Sequence, residues 1–288
     1  MNASIHNREI RSKIAQETLD ILEQGFYTSP SGAQITIRDE VEAAVAKSVL
    51  YAPDRLLNIL KEASALNGRI TGSVPRIEVT NESTLGAAQR LVAQEGLAET
   101  VCLNFASAKN PGGGFLGGSQ AQEESLARSS ALYPCISQMT EMYNHNRSLK
   151  TCFYSDYMIY SPKVPVFRED RGGLLPEPYL VSMITAPAVN AGVVREREPE
   201  NTAKIDSVML ERIRFILAVA AAHGQRAIIL GAYGCGVFRN NPKDVARLFK
   251  QALIDEGRAA WFDKIVFAIL DNSADKRTLN EFKKALEP

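Results

Sequence analysis

Ile10, Ile14 and Leu22, with Thr18 between them, recur every four positions. This spacing predicts an amphipathic helix over residues 8–25, stopped by Gly25. A short strand is expected at Gln34–Ile37 and a helix from about Asp39. Another helix follows at Asp54, which can cap the run Arg55–Leu66 before Asn67-Gly68 breaks it. The pattern changes near Pro75. Strand-like runs then appear at Arg76–Thr80, Val101–Phe105, Tyr179–Thr185, Ala227–Leu230 and Lys264–Leu270. Helical stretches alternate with them: Ser83, as cap, to about Gln94; Gln120–Leu132, stopping at Tyr133-Pro134; Ile205–Ala222, ending at His223-Gly224; and Pro242–Glu256, capped by Asn241. Such alternation predicts an α/β sheet with helices on both faces. Two stretches read as surface loops or lids. One is Tyr160–Pro178, with Pro162, Pro165, Pro176 and Gly172-Gly173; the other is the charged, irregular Ala191–Asn201.

Composition narrows the class. A chain of 288 residues allows one large domain or two small ones. Lys+Arg and Asp+Glu are equal at 33 each, so no global field recruits nucleic acid or an anionic membrane, and a polyanionic substrate needs a local site. Cys102, Cys135, Cys152 and Cys235 are dispersed, as are His6, His145 and His223, so no metal site and no disulfide framework is expected. The N-terminus lacks the apolar run of a signal peptide, and no stretch approaches the ~20 apolar residues of a membrane span. The expectation is a soluble intracellular, cytoplasmic protein without DNA or membrane partners.

The segment Asn110–Arg128 carries the most chemistry. Gly112, Gly113, Gly114, Gly117 and Gly118 follow a strand and precede a helix. Glycine permits positive φ and lets backbone approach a ligand closely, so the loop suits ribose or phosphate oxygens; a plain connector uses glycine as well. Gln122-Glu123-Glu124 opens the following helix. Adjacent helical residues diverge by ~100° about the axis, so the two carboxylates cannot share one job. Either is also accounted for by the helix macrodipole alone. A second loop, Gly231–Pro242, joins a strand to a helix, and Gly231, Gly234 and Gly236 can wrap a diphosphate. Phe238 offers a face for a nucleobase, or plugs the core. Asn104 and Asn110 are ribose or amide contacts, or turn residues. The second loop fits neither the dinucleotide fingerprint nor a P-loop.

Three glycines, then seven residues, then Gln-Glu-Glu resembles the signature of the microbial type of poly(ADP-ribose) glycohydrolase, a macrodomain family. The likeness runs over essentially the whole chain, through Asn7–Ile10, Tyr27–Gly32 and Gly231–Asn240. It implies a macrodomain-like α/β/α sandwich with a mixed central sheet at residues 76–288, preceded by a helical accessory region at 1–75. It implies hydrolysis of ribose–ribose bonds in poly(ADP-ribose), mainly from chain ends, with ADP-ribose as product, ADP-ribosylated proteins as partners and no cofactor. Glu124 would be the catalytic acid/base, with Glu123 binding a neighbouring hydroxyl. Asn104, Asn110, Gly112, Gly113, Gly114, Gly117 and Gln122 would bind substrate on one side. Gly234, Cys235, Gly236, Val237 and Phe238 would close the other, Phe238 stacking on adenine. A carboxyl whose pKa is raised by burial suits proton delivery to the leaving oxygen. Water is the attacking group that the resemblance implies; a covalent sugar–carboxylate intermediate is the other route open to such a pair. Rival readings are a macrodomain that binds ADP-ribose without cutting it, and a Rossmann-type NAD enzyme using Gly231–Gly236.

Overall fold

The computed structural model describes residues 7–65 and 75–287, so the helix end and break expected at 66–68 lie outside the described residues. Helix α1 (Arg8–Gln24) ends at Gly25 in the left-handed conformation, as the spacing predicts. Its buried positions are Ala15, Thr18 and Ile21, while Ile10 and Ile14 are only half-buried. An antiparallel hairpin of β1 (Phe26–Thr28) and β2 (Gln34–Thr36) follows. Next come α2 (Arg38–Ala46), the short strand β3 (Val49–Tyr51) and α3 (Pro53–Ala65). Asp54 is not the cap of α3. Pro53 opens that helix, and the amides of Arg55 and Leu56 bond to the carbonyl of Ala52. Proline suits this first position because its missing N–H has no intrahelical partner there.

Beyond residue 75 the order is β4 (Arg76–Thr80), α4 (Thr84–Gln89), β5 (Thr100–Phe105), α5 (Gln122–Ser129), α6 (Leu132–Ser137) and α7 (Thr140–Ser148). The long strands β6 (Met158–Arg168) and β7 (Leu174–Ala186) come next, then α8 (Ala191–Arg197), α9 (Ile205–Ala222), β8 (Ala227–Leu230), α10 (Pro242–Lys250), β9 (Lys264–Ala268) and α11 (Arg277–Leu286). Seven strands form one mixed sheet in the order β3-β6-β7-β5-β8-β9-β4. β7, β5, β8, β9 and β4 are mutually parallel, while β6 and β3 are added antiparallel.

Alternation along the strands feeds two cores. Val101, Leu103, Ile228, Ile265 and Phe267 pack with α3, α9, α10 and α11 through Leu56, Ile213, Phe249 and Phe282. Cys102, Met183, Ile229 and Val266 point the other way, onto Ile21, Val41, Leu85, Leu126, Ile136 and Met142. The result is the expected α/β/α sandwich. Among the described residues, no helix is long and apolar enough to cross a membrane.

Three local expectations are corrected. Tyr160–Pro178 is not a surface loop but most of the β6–β7 hairpin. Its prolines escape the usual penalty because β3 covers β6 only at Met158–Tyr160, and β5 covers β7 only from Ser182 onward. Pro162, Pro165, Pro176 and Pro178 therefore lie where one side of the strand has no neighbour asking for an N–H. Ala191–Asn201 is not irregular. It contains α8, capped by Asn190, whose side chain accepts from the amide of Val193 at 3.3 Å, and then a 3₁₀ turn. The helix expected over Gln120–Leu132 ends at Ser129, and a second one, α6, begins at Leu132. The chain is extended at Ser130, which bridges to Val166, and Pro134 lies in the first turn of α6, where its lack of an N–H costs nothing.

Candidate active site

β5 and β8 are adjacent parallel strands, and both glycine-bearing loops leave from their C-terminal ends. Two segments 120 residues apart in sequence are thereby brought to one edge of the sheet, where ligands of open α/β sheets sit. The Phe105 ring lies between them, 5.8 Å from Tyr233, and a Cβ at Gly231 would come within 3.0 Å of it.

The first loop wraps the Glu pair. Gly112 and Gly113 adopt φ of 72° and 59°, the left-handed region that favours glycine. A Cβ on Gly113 would collide with the Glu124 carboxylate, and the amide of Gly114 donates to Glu124 Oε1 at 3.0 Å. Glu124 is half-buried, at the mouth of the loop. Glu123 turns inward and is only 3% exposed. The amide of Ser107 donates to its Oε2 at 2.6 Å, and Asn104 Nδ2 to its Oε1 at 3.3 Å. Burial pushes the Glu123 carboxyl up to about 8, against the pull of those donors, so it holds a proton at neutral pH. Sequence analysis expects burial to raise the proton-delivering Glu124; the structure puts the buried, proton-holding carboxyl at Glu123.

The other predicted contacts fall into two groups. Asn104 is fully buried and faces Glu123 and Thr185, its register partner on β7; its Oδ1 has no hydrogen-bond partner among the described residues. Gln122 accepts from the Phe105 amide at 2.8 Å and donates to the Leu103 carbonyl at 2.7 Å and to Thr84 Oγ1 at 3.1 Å. Its amide is thus spent fastening α5 to the end of β5. Asn110, by contrast, is exposed on the loop, and Gly114 is open to solvent beside it. Gly117 gives its carbonyl to Arg8 Nε at 2.7 Å.

That last bond belongs to a brace that sequence analysis missed. Arg11 Nε bonds to the Gly118 carbonyl at 2.7 Å and Ser12 Oγ to the Leu116 carbonyl at 2.6 Å. Arg128 Nη1 holds the Ser119 carbonyl at 2.7 Å. Ala15 of α1 packs with Phe115 of the loop and Ala127 of α5. The first helix therefore clamps the glycine loop from outside.

In the second loop, Gly234 has φ of 71°, and a Cβ there would meet both Asn240 and Ala188. Asn240 ties the loop down through the carbonyls of Val189 (2.8 Å) and Gly234 (3.0 Å). The amides of Gly234, Gly236, Val237 and Phe238 make no hydrogen bond among the described residues, so they are available to an anion. Val237 is 80% exposed. Cys235 is half-buried, its thiol pushed up to about 12 by burial and so unreactive. Phe238 packs in part against the core. It is half-buried, 5.8 Å from the Tyr154 ring at 46°, and together they form an aromatic wall. Tyr154 was not predicted; its segment is anchored by the fully buried Arg212, which bonds to Asp156 at 2.8 Å and to the carbonyls of Phe153 and Pro187.

A three-layer sheet protein with a carboxylate pair under a glycine loop, and free amides and an aromatic wall opposite, has the architecture of a macrodomain-like enzyme. Residues 15–169 match the family described as microbial-type PARG, catalytic domain. The chain belongs to that family. A poly(ADP-ribose) glycohydrolase of Thermomonospora curvata, solved with the inhibitor ADP-HPD, is 43% identical over 96% of this chain and 99% of its own, with a TM-score of 0.88. One of Deinococcus radiodurans, solved with ADP-ribose, is 45% identical over 86% of this chain and 97% of its own, with a TM-score of 0.79. Comparison with curated proteins gave no match.

Proposed function

We propose that this protein is a poly(ADP-ribose) glycohydrolase that hydrolyses the ribose–ribose bonds of the polymer, mainly from chain ends, and releases ADP-ribose. The observation that carries the reading is the placement of the Glu pair: Glu124 at the open mouth of the Gly112–Gly118 loop, Glu123 buried beside it against the same loop. A module that only binds ADP-ribose has no need of such a pair.

In the proposed reaction the free amides of Gly234–Phe238 and the backbone of Gly112–Gly114 hold the diphosphate, Asn110 and the loop hold the terminal ribose, and Phe238 with Tyr154 takes adenine. Glu124 donates its proton to the leaving ribose oxygen as the glycosidic C–O bond breaks through an oxocarbenium-like state. The resulting carboxylate then takes a proton from water as the water oxygen bonds to the ribose carbon, which restores the acid. Glu123, protonated by its burial, donates a hydrogen bond to the adjacent ribose hydroxyl and fixes the sugar against Glu124. Asn104, Ser107 and Gln122 act through the glutamates as positioning residues.

Residues 1–75 serve, in this reading, as an accessory region whose α1 holds the glycine loop, with residues 76–288 carrying the catalytic groups. ADP-ribosylated proteins are the source of polymer, and the cytoplasm is the proposed site of action. Incubation with radiolabelled polymer tests the function: the wild type releases monomeric ADP-ribose as the main early product, while Glu124→Gln binds ADP-ribose but releases it ~10²–10⁴-fold more slowly. Binding by the wild type with no release would sink the proposal.

A further inference from the structure

Beside the Phe238 loop lies an open cavity of about 610 Å³ lined by Arg195, Arg239, Asn241, Pro242, Arg277 and Thr278. Its three guanidiniums come from separate elements: α8, the second glycine loop and the start of α11. None has an ion pair among the described residues. Three carboxylates of neighbouring elements are engaged elsewhere. Asp206 and Asp244 face Arg247, and Asp271 accepts from the amides of Ser273 (3.0 Å) and Leu279 (3.2 Å). Three like charges around one cavity repel one another, and a chain with equal acidic and basic counts has carboxylates to spare for them. Leaving them unpaired suits an anionic ligand.

The cavity is also built into the site. Arg239 holds φ of 54°, a left-handed conformation that non-glycine residues adopt only when the surroundings impose it. Its carbonyl accepts from Arg195 Nη1 at 3.0 Å, and the Phe238 carbonyl accepts from the Gly192 amide at 3.0 Å. A Cβ on Gly192 would lie 2.9 Å from Arg239 Cδ, so glycine there lets the side chain pass. These contacts lock α8 to the loop, with Phe238 facing the crevice and Arg239 the cavity. The N-terminus of α10, with Pro242 in its first turn, adds the positive end of a helix dipole.

We infer that this cavity is a second diphosphate-binding site, which holds the ADP-ribose unit adjoining the one in the crevice. The inference rests on poly(ADP-ribose) being the substrate and on adenine lying against Phe238. The polymer's next unit is attached through the adenosine ribose, so it leaves the crevice beside Phe238 and carries its diphosphate toward Arg239. Guanidinium groups match phosphate oxygens in bidentate pairs. The site fills only when the polymer continues past the crevice, so it supports binding and cutting at internal positions beside release from chain ends.

The variant Arg277→Gln tests this, since its side chain is exposed and makes no hydrogen bond to the loops of the crevice among the described residues. With long polymer its early oligomeric products fall roughly tenfold at low salt, while release of ADP-ribose from chain ends and turnover of an ADP-ribose dimer are unchanged. An unchanged yield of oligomeric products overturns the inference. Equal loss on dimer and polymer also overturns it, by assigning Arg277 to the crevice. Failure of the wild type to cut either substrate refutes the glycohydrolase reading instead.

Discussion

At the scale of single residues, one substitution separates the two glutamates. Glu124→Gln keeps the size of the side chain and removes the acid, so turnover falls by ~10²–10⁴ with folding intact, read from single-turnover release of ADP-ribose. Glu123→Gln preserves a hydrogen-bond donor, so it retains a measurable fraction of activity. If both variants lose activity equally, the unequal division of labour is wrong. The two also differ in their pH signatures. Glu123 is raised by burial to about 8 from an ordinary value of 4.5, so the folded chain keeps a proton that the unfolded chain releases. The stability this group contributes is full below 4.5 and is lost as pH rises towards about 8. Urea midpoints at about pH 5 and pH 8 should therefore diverge more in the wild type than in Glu123→Gln. That a carboxylate pair sits at the start of a helix was legible from residues 123 and 124; which of them is sealed was not. Burial of Glu123 depends on Asn104 and Thr185, side by side on strands 81 residues apart.

At the scale of elements, the glycine loop is held in shape by others. Gly113 has φ of 59° and no room for a Cβ beside Glu124. Gly113→Ala should cost ~1–2 kcal/mol of stability and, by displacing Glu124, about 10²-fold in turnover. A thermal melt with a kcat measurement would show both, and an alanine variant with wild-type kcat would refute the role given to this close approach. The outer brace makes a softer prediction. Arg11→Ala frees the Gly118 carbonyl, which lies 2.7 Å from Arg11 Nε, and loosens the loop. Activity should fall several-fold, while the melting temperature moves by only a few degrees, because one partly exposed hydrogen bond contributes about 1 kcal/mol. Helix α1 itself was readable from its four-residue spacing and Gly25. Its task was not, because Arg8, Arg11 and Ser12 look like an ordinary solvated face until the loop is folded against them.

At the scale of the whole molecule, the sheet joins what the chain separates. β3 lies within residues 1–75, yet it pairs with β6 at one edge of the main sheet, and α3 packs on α9. Deleting residues 1–25 should therefore leave much of the sheet core in place while uncovering Phe115 and unclamping the loop. We expect a truncated protein with near-native far-ultraviolet circular dichroism and severely reduced turnover. A fully active truncation would show that α1 is no brace.

The sequence by itself determined the alternation of strands and helices, the order and spacing of the glycines and glutamates, and hence the family. These signals are local: periodicity, caps, and residue types at fixed intervals each act within a turn or a strand. Local rules also misread the β6–β7 hairpin, since a proline is tolerated or not according to whether a neighbouring strand needs its N–H. Only the tertiary structure decided that Glu123 is the buried carboxyl and that Gln122 is a fastening. The same is true of Tyr154 standing beside Phe238, and of three distant arginines sharing one cavity. Burial and charge pairing are properties of what surrounds a residue, and the surroundings here come from segments that meet only when the sheet is assembled.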